Sequence, residues 1–469
     1  MTSPLNTRPL RVGIAGLGTV GVGVVKLLEG NAALIAARAG RPIQIVAVNA
    51  RDRGRDRGVD LTRYRWVDTM EAMAEQNDVD VVVELVGGAG GRALDLARAS
   101  LSRAKHFVTA NKAMVAHHGM GLAQTAEAKG VALKFEAAVA GGIPAVKGLR
   151  EGAAANNIRR IYGILNGTAN YILSAMESTG ADFTATLRDA QALGYAEADP
   201  TFDVEGVDAA HKLAILACIG FGTRMDFAGV TCEGIGHIRA ADIAQADALG
   251  YVIRLIAMAD MGGADMGVAD MGSADGNADM GEGALLQEVK PCLVPKGHPL
   301  AHVTGATNAV VAEGDFSGRL LFQGAGAGEG PTASAVVADL LDIARGENSG
   351  GENVDGKNIG GTGAPFSMPV AQLRVVDAAD PGDRIGQTYL RFAVRDQPGV
   401  LAEITAAMRD AEVSIESLIQ KGRAIDGGEV LVAMVTHEGP RSGVAKAMAL
   451  LAQSDALTAP PLAMKILRN

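Results

Sequence analysis

Aromatic residues make up only 4% of this chain, a shortage that fits an all-β sandwich poorly. The 61 glycines suit instead an α/β protein rich in tight turns. Cysteine is nearly absent. Cys218, Cys232 and Cys292 show no CxxC or metal-ligand spacing and leave an odd count, so a reduced, cytoplasmic setting fits better than a disulfide framework. No block of Lys and Arg is long enough for a nucleic-acid arm. The stretch Arg51–Arg57 interleaves arginine with aspartate and glycine, and the net charge is −10. No apolar stretch reaches the roughly 18 residues of a membrane span, and the apolar run near the N-terminus is short and broken by glycines. The expectation is a soluble protein with neither nucleic acid nor membrane as a partner.

What is present is ample apolar material, 48% of 469 residues, enough for about two to four domains. LRVGIAGLG (10–18), IQIVAVNA (43–50), VDVVVELVG (79–87) and HFVTA (106–110) read as continuous apolar strands interleaved with helical stretches. Strands without polar alternation belong to a parallel sheet covered on both faces. Residues 1–135 are therefore expected to form a Rossmann-like, doubly wound dinucleotide-binding domain. An α+β substrate and dimerisation domain is expected over 136–345, with strands near 252–258, 284–294 and 308–314. A linker follows over 346–386, Gly/Asn-rich in its first half. The last segment, 387–469, reads β-α-β-β-α-β, the ferredoxin-like order.

Residues 259–283 repeat the unit ADMG plus one residue, with a slip at Ala274–Asn277. Asp260, Asp265, Asp270 and Asp275 invite a calcium reading, but the period and carboxylate density differ from known calcium repeats. An expanded, solvated hairpin loop is the preferred account.

The first strand runs into Gly16-Leu17-Gly18-Thr19-Val20-Gly21. Gly16 permits the tight turn, Gly18 lets backbone approach a pyrophosphate, Gly21 allows close helix–strand packing, and the helix N-terminus faces the anion. No acid stands at the tip of the second strand, where an NAD site carries one for the ribose hydroxyl. The residues there are Asn49-Ala50-Arg51-Asp52-Arg53, and Arg51 or Arg53 suits a 2′-phosphate, so NADP is the expected cofactor, with NAD the alternative. Lys112 follows the fourth strand at a ligand-binding edge, although position alone fits a surface loop equally well. Asp208 and Lys212, four apart on a nearly apolar helix, share a face. An ion pair in such surroundings is costly, which points to a site rather than a surface bridge. Cys218, within that helix, reads as core.

RVGIAGLGTVG, VVVELVGG, TANK, NGTANYIL, LGYAEADPTFDVEGVDAAHKL and GAGEGPTASAVVADL, in this order and spacing, resemble homoserine dehydrogenase over residues 10 to 345, interrupted by the ADMG array. RDQPGVLAEITAAM resembles the opening of an ACT domain, an amino-acid-sensing module. The resemblance implies NAD(P)H-dependent interconversion of L-aspartate 4-semialdehyde and L-homoserine, in threonine, methionine and isoleucine biosynthesis. It implies that Lys212 is the catalytic proton donor and that Lys112 is a second active-site lysine near the nicotinamide and the substrate. Glu197 and Asp208 would hold the substrate's amino group or orient the lysine, and Tyr195 and Asp203 would line its pocket. Gly328 joins Gly16 to Gly21, Arg51 and Lys112 as a cofactor contact. Glu136, Val139, Gly141 and Ile143 match a site for a monovalent cation such as Na⁺ or K⁺. The family also implies a homo-oligomer. An effector, L-threonine by analogy with pathway feedback, would bind at Asp396-Gln397-Pro398-Gly399. The competing readings are another NADP-dependent carbonyl reductase and a non-catalytic NADP-sensing ACT regulator. The constellation Lys112, Glu197, Asp208 and Lys212 argues against the second.

Overall fold

The structure, a computed structural model, describes residues 8–262, 283–348, 364–420, 429–452 and 454–468. Most of the ADMG array and most of the Gly/Asn-rich linker therefore lie outside the described residues. The chain forms two units. The first comprises Met1–Leu165, Asp208–Val230 and Thr307–Val376, and the second Asn166–Val207, Thr231–Ala306 and Asp377–Asn469.

In the first unit, six parallel strands stand in the order Arg65–Trp66, Ile43–Asn49, Leu10–Ala15, Val81–Glu84, His106–Thr109, Leu133–Lys134. This is the doubly wound order expected, and the strand order reverses between Leu10–Ala15 and Val81–Glu84, the crevice where such sheets bind ligands. Val12, Ile14, Val81 and Val83 are fully buried, as strands covered on both faces must be. Arg65–Trp66 and Leu133–Lys134 were not anticipated. Each is two residues long, too short for any periodicity to register. The same unit holds three antiparallel strands, Ile158–Ile164, Thr307–Gly314 and Gly318–Ala325. The helix Glu329–Asn348 packs on Thr19–Gly30 because position 23 is glycine: a Cβ there would lie 2.7 Å from Glu329 Cγ.

In the second unit the strands Tyr251–Met261 and Leu285–Pro295 pair antiparallel from Tyr251↔Pro295 to Met261↔Leu285. The strand expected at 252–258 thus runs on through the first ADMG copy, since Ala259 and Asp260 fit the pleat. Met261 and Leu285, on either side of the remaining array, stand directly opposite each other, a geometry that a short turn can also close. Beyond Leu285–Pro295 the same sheet continues through Leu462–Ile466, Thr388–Arg395, Glu429–Thr436 and Ile415–Gln420. With helices Val400–Asp410 and Arg441–Leu451, these give the β-α-β-β-α-β order read from the sequence. The C-terminal module is therefore welded edge to edge onto Leu285–Pro295.

A buried ionic cluster fastens the weld. Glu288, 2% exposed, takes both Arg441 guanidinium nitrogens at 2.9 Å, and Lys465 Nζ stands 3.6 Å away. Burial opposes ionisation of Glu288, but the Arg441 hydrogen bonds and the two cations prevail and bring it from 4.5 to about 2. Arg391 and Asp242 form a second buried pair at 2.9 Å, and Tyr389 donates to Gln245 Oε1 at 3.1 Å.

A carboxyl with its pKa lowered in the folded state stabilises the fold above its unfolded value and loses that contribution as pH falls through the folded one. Glu288→Gln should therefore cost about 3–5 kcal/mol near neutral pH, the range for breaking a buried pair. The deficit should shrink between pH 4.5 and about 2, where wild-type Glu288 is itself protonated. Denaturant titrations across that window measure it, and a pH-independent deficit would contradict the assignment.

Candidate active site

The glycine-rich turn adopts the conformations its residues allow. Gly16 has φ 103°, and a Cβ there would lie 2.7 Å from the Leu85 carbonyl oxygen. Gly21 is required by the turn itself: its Cβ would lie 2.1 Å from the Gly16 carbonyl oxygen, so this glycine packs on the loop rather than on a strand. Gly18 caps helix Thr19–Gly30 with no side-chain hydrogen bond, and the first turn holds no acid. A Cβ on Gly18 would meet nothing within 4 Å. Leu17 is buried, Thr19 exposed and Val20 half-buried. Open backbone N–H groups and space above Gly18 fit a dinucleotide pyrophosphate. Gly328, φ 114°, precedes the helix packed on this one.

At the second strand's tip, Asn49 is turned inward, its Nδ2 donating to the Val67 carbonyl at 2.7 Å. Arg51 is exposed. Arg57, which the sequence reading passed over, donates Nε to the Leu17 carbonyl at 3.0 Å. The guanidinium groups of Arg53 and Arg57 stand 5.4 and 5.9 Å from the Trp66 ring centre. A cavity of about 370 Å³ opens beside that ring, lined by Val67, Asp68 and Thr69 among others. Nothing in the alternating Arg51–Arg57 stretch distinguishes Arg57 from its neighbours.

Glu84 fixes the next two loops and was also missed. It is fully buried, and its Oε1 accepts from the Val86 and Gly87 amides at 2.7 and 2.9 Å. Its Oε2 accepts from Thr109 Oγ1 at 2.6 Å, and Thr109 in turn accepts from the Asn111 amide. Asn111 donates to the Gly88 carbonyl and caps helix Lys112–Lys129 by accepting from the Met114 amide at 3.0 Å. The signal was available: one acid inside the run VDVVVELVG must find donors to be buried.

These supports bring Lys112 to Asp208. Lys112 Nζ stands 2.9 Å from Asp208 Oδ1, and Lys212 Nζ donates to Asp208 Oδ2 at 2.6 Å and to the Leu165 carbonyl at 2.7 Å. The pair Asp208–Lys212 is thus the buried contact that its spacing on helix Val207–Phe221 predicted. Burial opposes the charge on Asp208, but the Lys212 and Lys112 charges prevail and hold its carboxyl well below the usual range. His211, stacked on Phe227 with ring centres 4.6 Å apart, is lowered to about 4 by burial and the nearby His117. Cys218, 1% exposed, has its thiol pushed up by burial, which removes it as a nucleophile.

In the second unit, Asn166 caps helix Gly167–Thr179 by accepting from the Ala169 amide, while its Nδ2 donates to Asp203 Oδ1 at 2.7 Å. Tyr195 stacks on Tyr171 with ring centres 4.4 Å apart. Glu197 is exposed, and its carbonyl accepts from Gln191.

Of the expected cation ligands, Glu136 is buried, and its carboxylate accepts from the Val146 and Lys147 amides at 3.1 and 2.9 Å. Burial and the Asp339 charge push it up to about 7. Val139 and Ile143 are buried, and Ala140 and Gly141 between them have φ 55° and 54°. No cluster of three or more His, Cys, Asp or Glu residues suited to a metal occurs among the described residues.

Comparison with known proteins decides the affiliation. Residues 144–341 match the family model for homoserine dehydrogenase, 16–136 that for its NAD-binding domain and 388–451 that for the ACT domain. Homoserine dehydrogenase of Pseudomonas aeruginosa is 40% identical over 459 residues, covering 98% of this chain and 99% of the relative. The chain belongs to the homoserine dehydrogenase family. Homoserine dehydrogenase of Mycobacterium tuberculosis is 42% identical over 437 residues, 92% of each chain. Among solved structures, the homoserine dehydrogenase of Thiobacillus denitrificans superposes with a TM-score of 0.86 at 38% identity, covering 98% of this chain and 99% of that one. The family's members are oxidoreductases acting on homoserine with a nicotinamide cofactor, and in this chain the ACT module is appended.

Proposed function

We propose that the chain interconverts L-homoserine and L-aspartate 4-semialdehyde, in amino-acid biosynthesis, with Lys212 as the group that moves the proton. The observation that carries this reading is a single buried carboxylate, Asp208, gripped by two lysines. The nicotinamide ring, when bound, supplies a hydride to C4 of the semialdehyde or takes one from homoserine. Reduction leaves an alkoxide, which an ammonium stabilises and protonates. Lys212 suits that task because Leu165 and Asp208 fix two acceptor directions around Nζ, which aims the group. Asp208 stays ionised, so it orients without competing as an acid, and His211 is neutral at pH 7. Lys112 adds a second positive charge on the same carboxylate. The proposed substrate contacts at Tyr195, Glu197 and Asp203 rest on the family resemblance, as does assembly into a homo-oligomer. A cytoplasmic setting is supported by three free cysteines, two of them buried. Among the described residues no single helix is long and apolar enough to cross a membrane.

NADP is the proposed cofactor, held by Gly16 to Gly21 and by Arg51, with Arg53 and Arg57 beside Trp66 enlarging the basic patch. The monovalent cation at Glu136, Val139, Gly141 and Ile143 belongs to the same proposal. Glu136 offers a carboxylate with acceptor capacity beyond its two amide donors, and Ala140 and Gly141 impose an unusual turn on the carbonyls around them.

Lys212→Ala should lower kcat by about 10²–10⁴, the usual worth of general acid–base catalysis, with cofactor binding retained. Activity within a few-fold of wild type would remove Lys212 from this role. Arg51→Ala should raise KM for NADP several-fold more than KM for NAD, since NADP alone presents a phosphate. Equal changes would mean that Arg51 reads a part the two cofactors share. L-threonine is the proposed effector at the loop Asp396–Gly399, where Gly399, φ 96°, opens helix Val400–Asp410. Because the module shares a sheet with Leu285–Pro295, the test uses the full chain rather than a truncation. Threonine should alter wild-type kinetics, and Asp396→Ala should blunt the response. An unresponsive wild type would leave the module a structural role.

A further inference from the structure

Lys212 is held by a backbone carbonyl, and that carbonyl is itself held. Leu165 lies just past the strand Ile158–Ile164, and its oxygen accepts both from Lys212 Nζ at 2.7 Å and from Asn308 Nδ2 at 3.0 Å. The ladder to the neighbouring strand ends at Ala309↔Ile164, so continuing that register sets Asn308 opposite Leu165. Where backbone pairing stops, a side-chain amide takes over the carbonyl.

Asn308 is an expensive way to fill this position. It is 1% exposed, and its Oδ1 is buried with no hydrogen-bond partner among the described residues. A polar atom left in that state destabilises a fold, whereas an apolar side chain of similar size would not. The surroundings are shaped to admit the amide. A Cβ at Gly326 would lie 2.2 Å from Asn308 Cγ, and one at Gly141 would lie 2.4 Å from the Gly326 carbonyl oxygen. Two glycines thus stack beneath one amide whose single donated bond goes to the carbonyl that anchors Lys212.

We infer that Asn308 is a positioning residue for proton transfer, setting through Leu165 both the aim and the acidity of Lys212. The inference rests on Lys212 being the proton-moving group. The physical argument concerns competition for one oxygen. A carbonyl that already receives an amide N–H is a weaker acceptor for the ammonium, so Asn308 lowers the stabilisation that Leu165 gives to protonated Lys212. Homoserine oxidation needs Lys212 neutral, with its lone pair towards the hydroxyl. Asn308 therefore favours the form that accepts the proton while keeping the acceptor in place.

The experiment compares kcat, KM and the pH dependence of homoserine oxidation in wild type, Asn308→Ala and the near-isosteric Asn308→Asp. Melting temperature and circular dichroism identify variants that keep the native fold. Both substitutions should lower kcat roughly ten-fold, leave KM for homoserine and cofactor within about two-fold, and move the rising limb of the profile to higher pH. The displacement should be larger for Asp, whose negative charge further favours the ammonium. Folded variants with an unmoved limb would overturn the inference, since a merely structural role changes stability and not the limb. Lys212→Ala separates the two readings. If that variant stays active, the assignment of Lys212 fails. If it is inactive and the Asn308 variants keep the wild-type profile, the Asn308 inference alone fails.

Discussion

A carboxylate removed from water is unstable unless opposite charges reach it, and Asp208 is buried between Lys112 and Lys212. The two lysines arrive by different routes. Lys112 opens a helix at the carboxyl end of a parallel strand, and Lys212 lies on the nearly apolar helix that also carries Asp208. One carboxylate therefore ties that helix to the edge of the dinucleotide-binding sheet. Each partner has its own support. Lys112 depends on the chain from Glu84 through Thr109 to Asn111, and Lys212 on the Leu165 carbonyl. On the proposed role of Lys212, loss of a support would misplace a charge instead of removing one, and would cost rate before it costs folding.

The dinucleotide-binding sheet was legible because its long strands are continuous apolar runs, and the C-terminal module because its six elements are short and cleanly punctuated. The strands Ile158–Ile164 and Gly318–Ala325 escaped notice for opposite reasons. The first mixes Arg159 and Arg160 into its pattern. The second alternates half-buried and exposed positions in a glycine-rich segment that reads as loop. In the site, the i,i+4 pair Asp208–Lys212 could be read because a helix converts spacing into proximity. Lys112 to Asp208 could not, since the contact spans 96 positions and exists only after the sheet forms. Asn308 and Arg57 carried no signal at all. The hydrogen bonds they donate go to backbone carbonyls, and a backbone atom has no sequence signature.

The C-terminal module gives a different lesson about reading domains from sequence. A Gly/Asn-rich stretch before a compact β-α-β-β-α-β pattern suggests an independent body on a tether. In the structure, Cys292 and Leu293 pair with Lys465 and Ile466, so the module's last strand extends a sheet from a strand 173 positions earlier in the chain. Charges buried along that seam are matched pairwise, Glu288 with Arg441 and Lys465, Asp242 with Arg391. Burial raises Asp242 in spite of its arginine, whereas Glu288, with two hydrogen bonds and two cations, is lowered. The difference lies in geometry: Glu288 receives aligned bidentate bonds, whereas Arg391 Nε stands close to Asp242 without hydrogen-bond alignment.

That seam constrains how an effector can act. Free swinging of the module would break parallel ladder bonds and expose Glu288 without its cations, so large rigid-body motion about the seam is costly. A ligand at the proposed loop, Asp396–Gly399, would sit at the end of the strand Thr388–Arg395, which pairs with Leu462–Ile466, which pairs in turn with Leu285–Pro295. Small shifts of register or twist can pass along this sheet without breaking it, because strands bonded edge to edge move together. Regulation through such a seam requires the ligand to favour one of two packings of a shared sheet, and its size is set by that difference in affinity rather than by how tightly it binds.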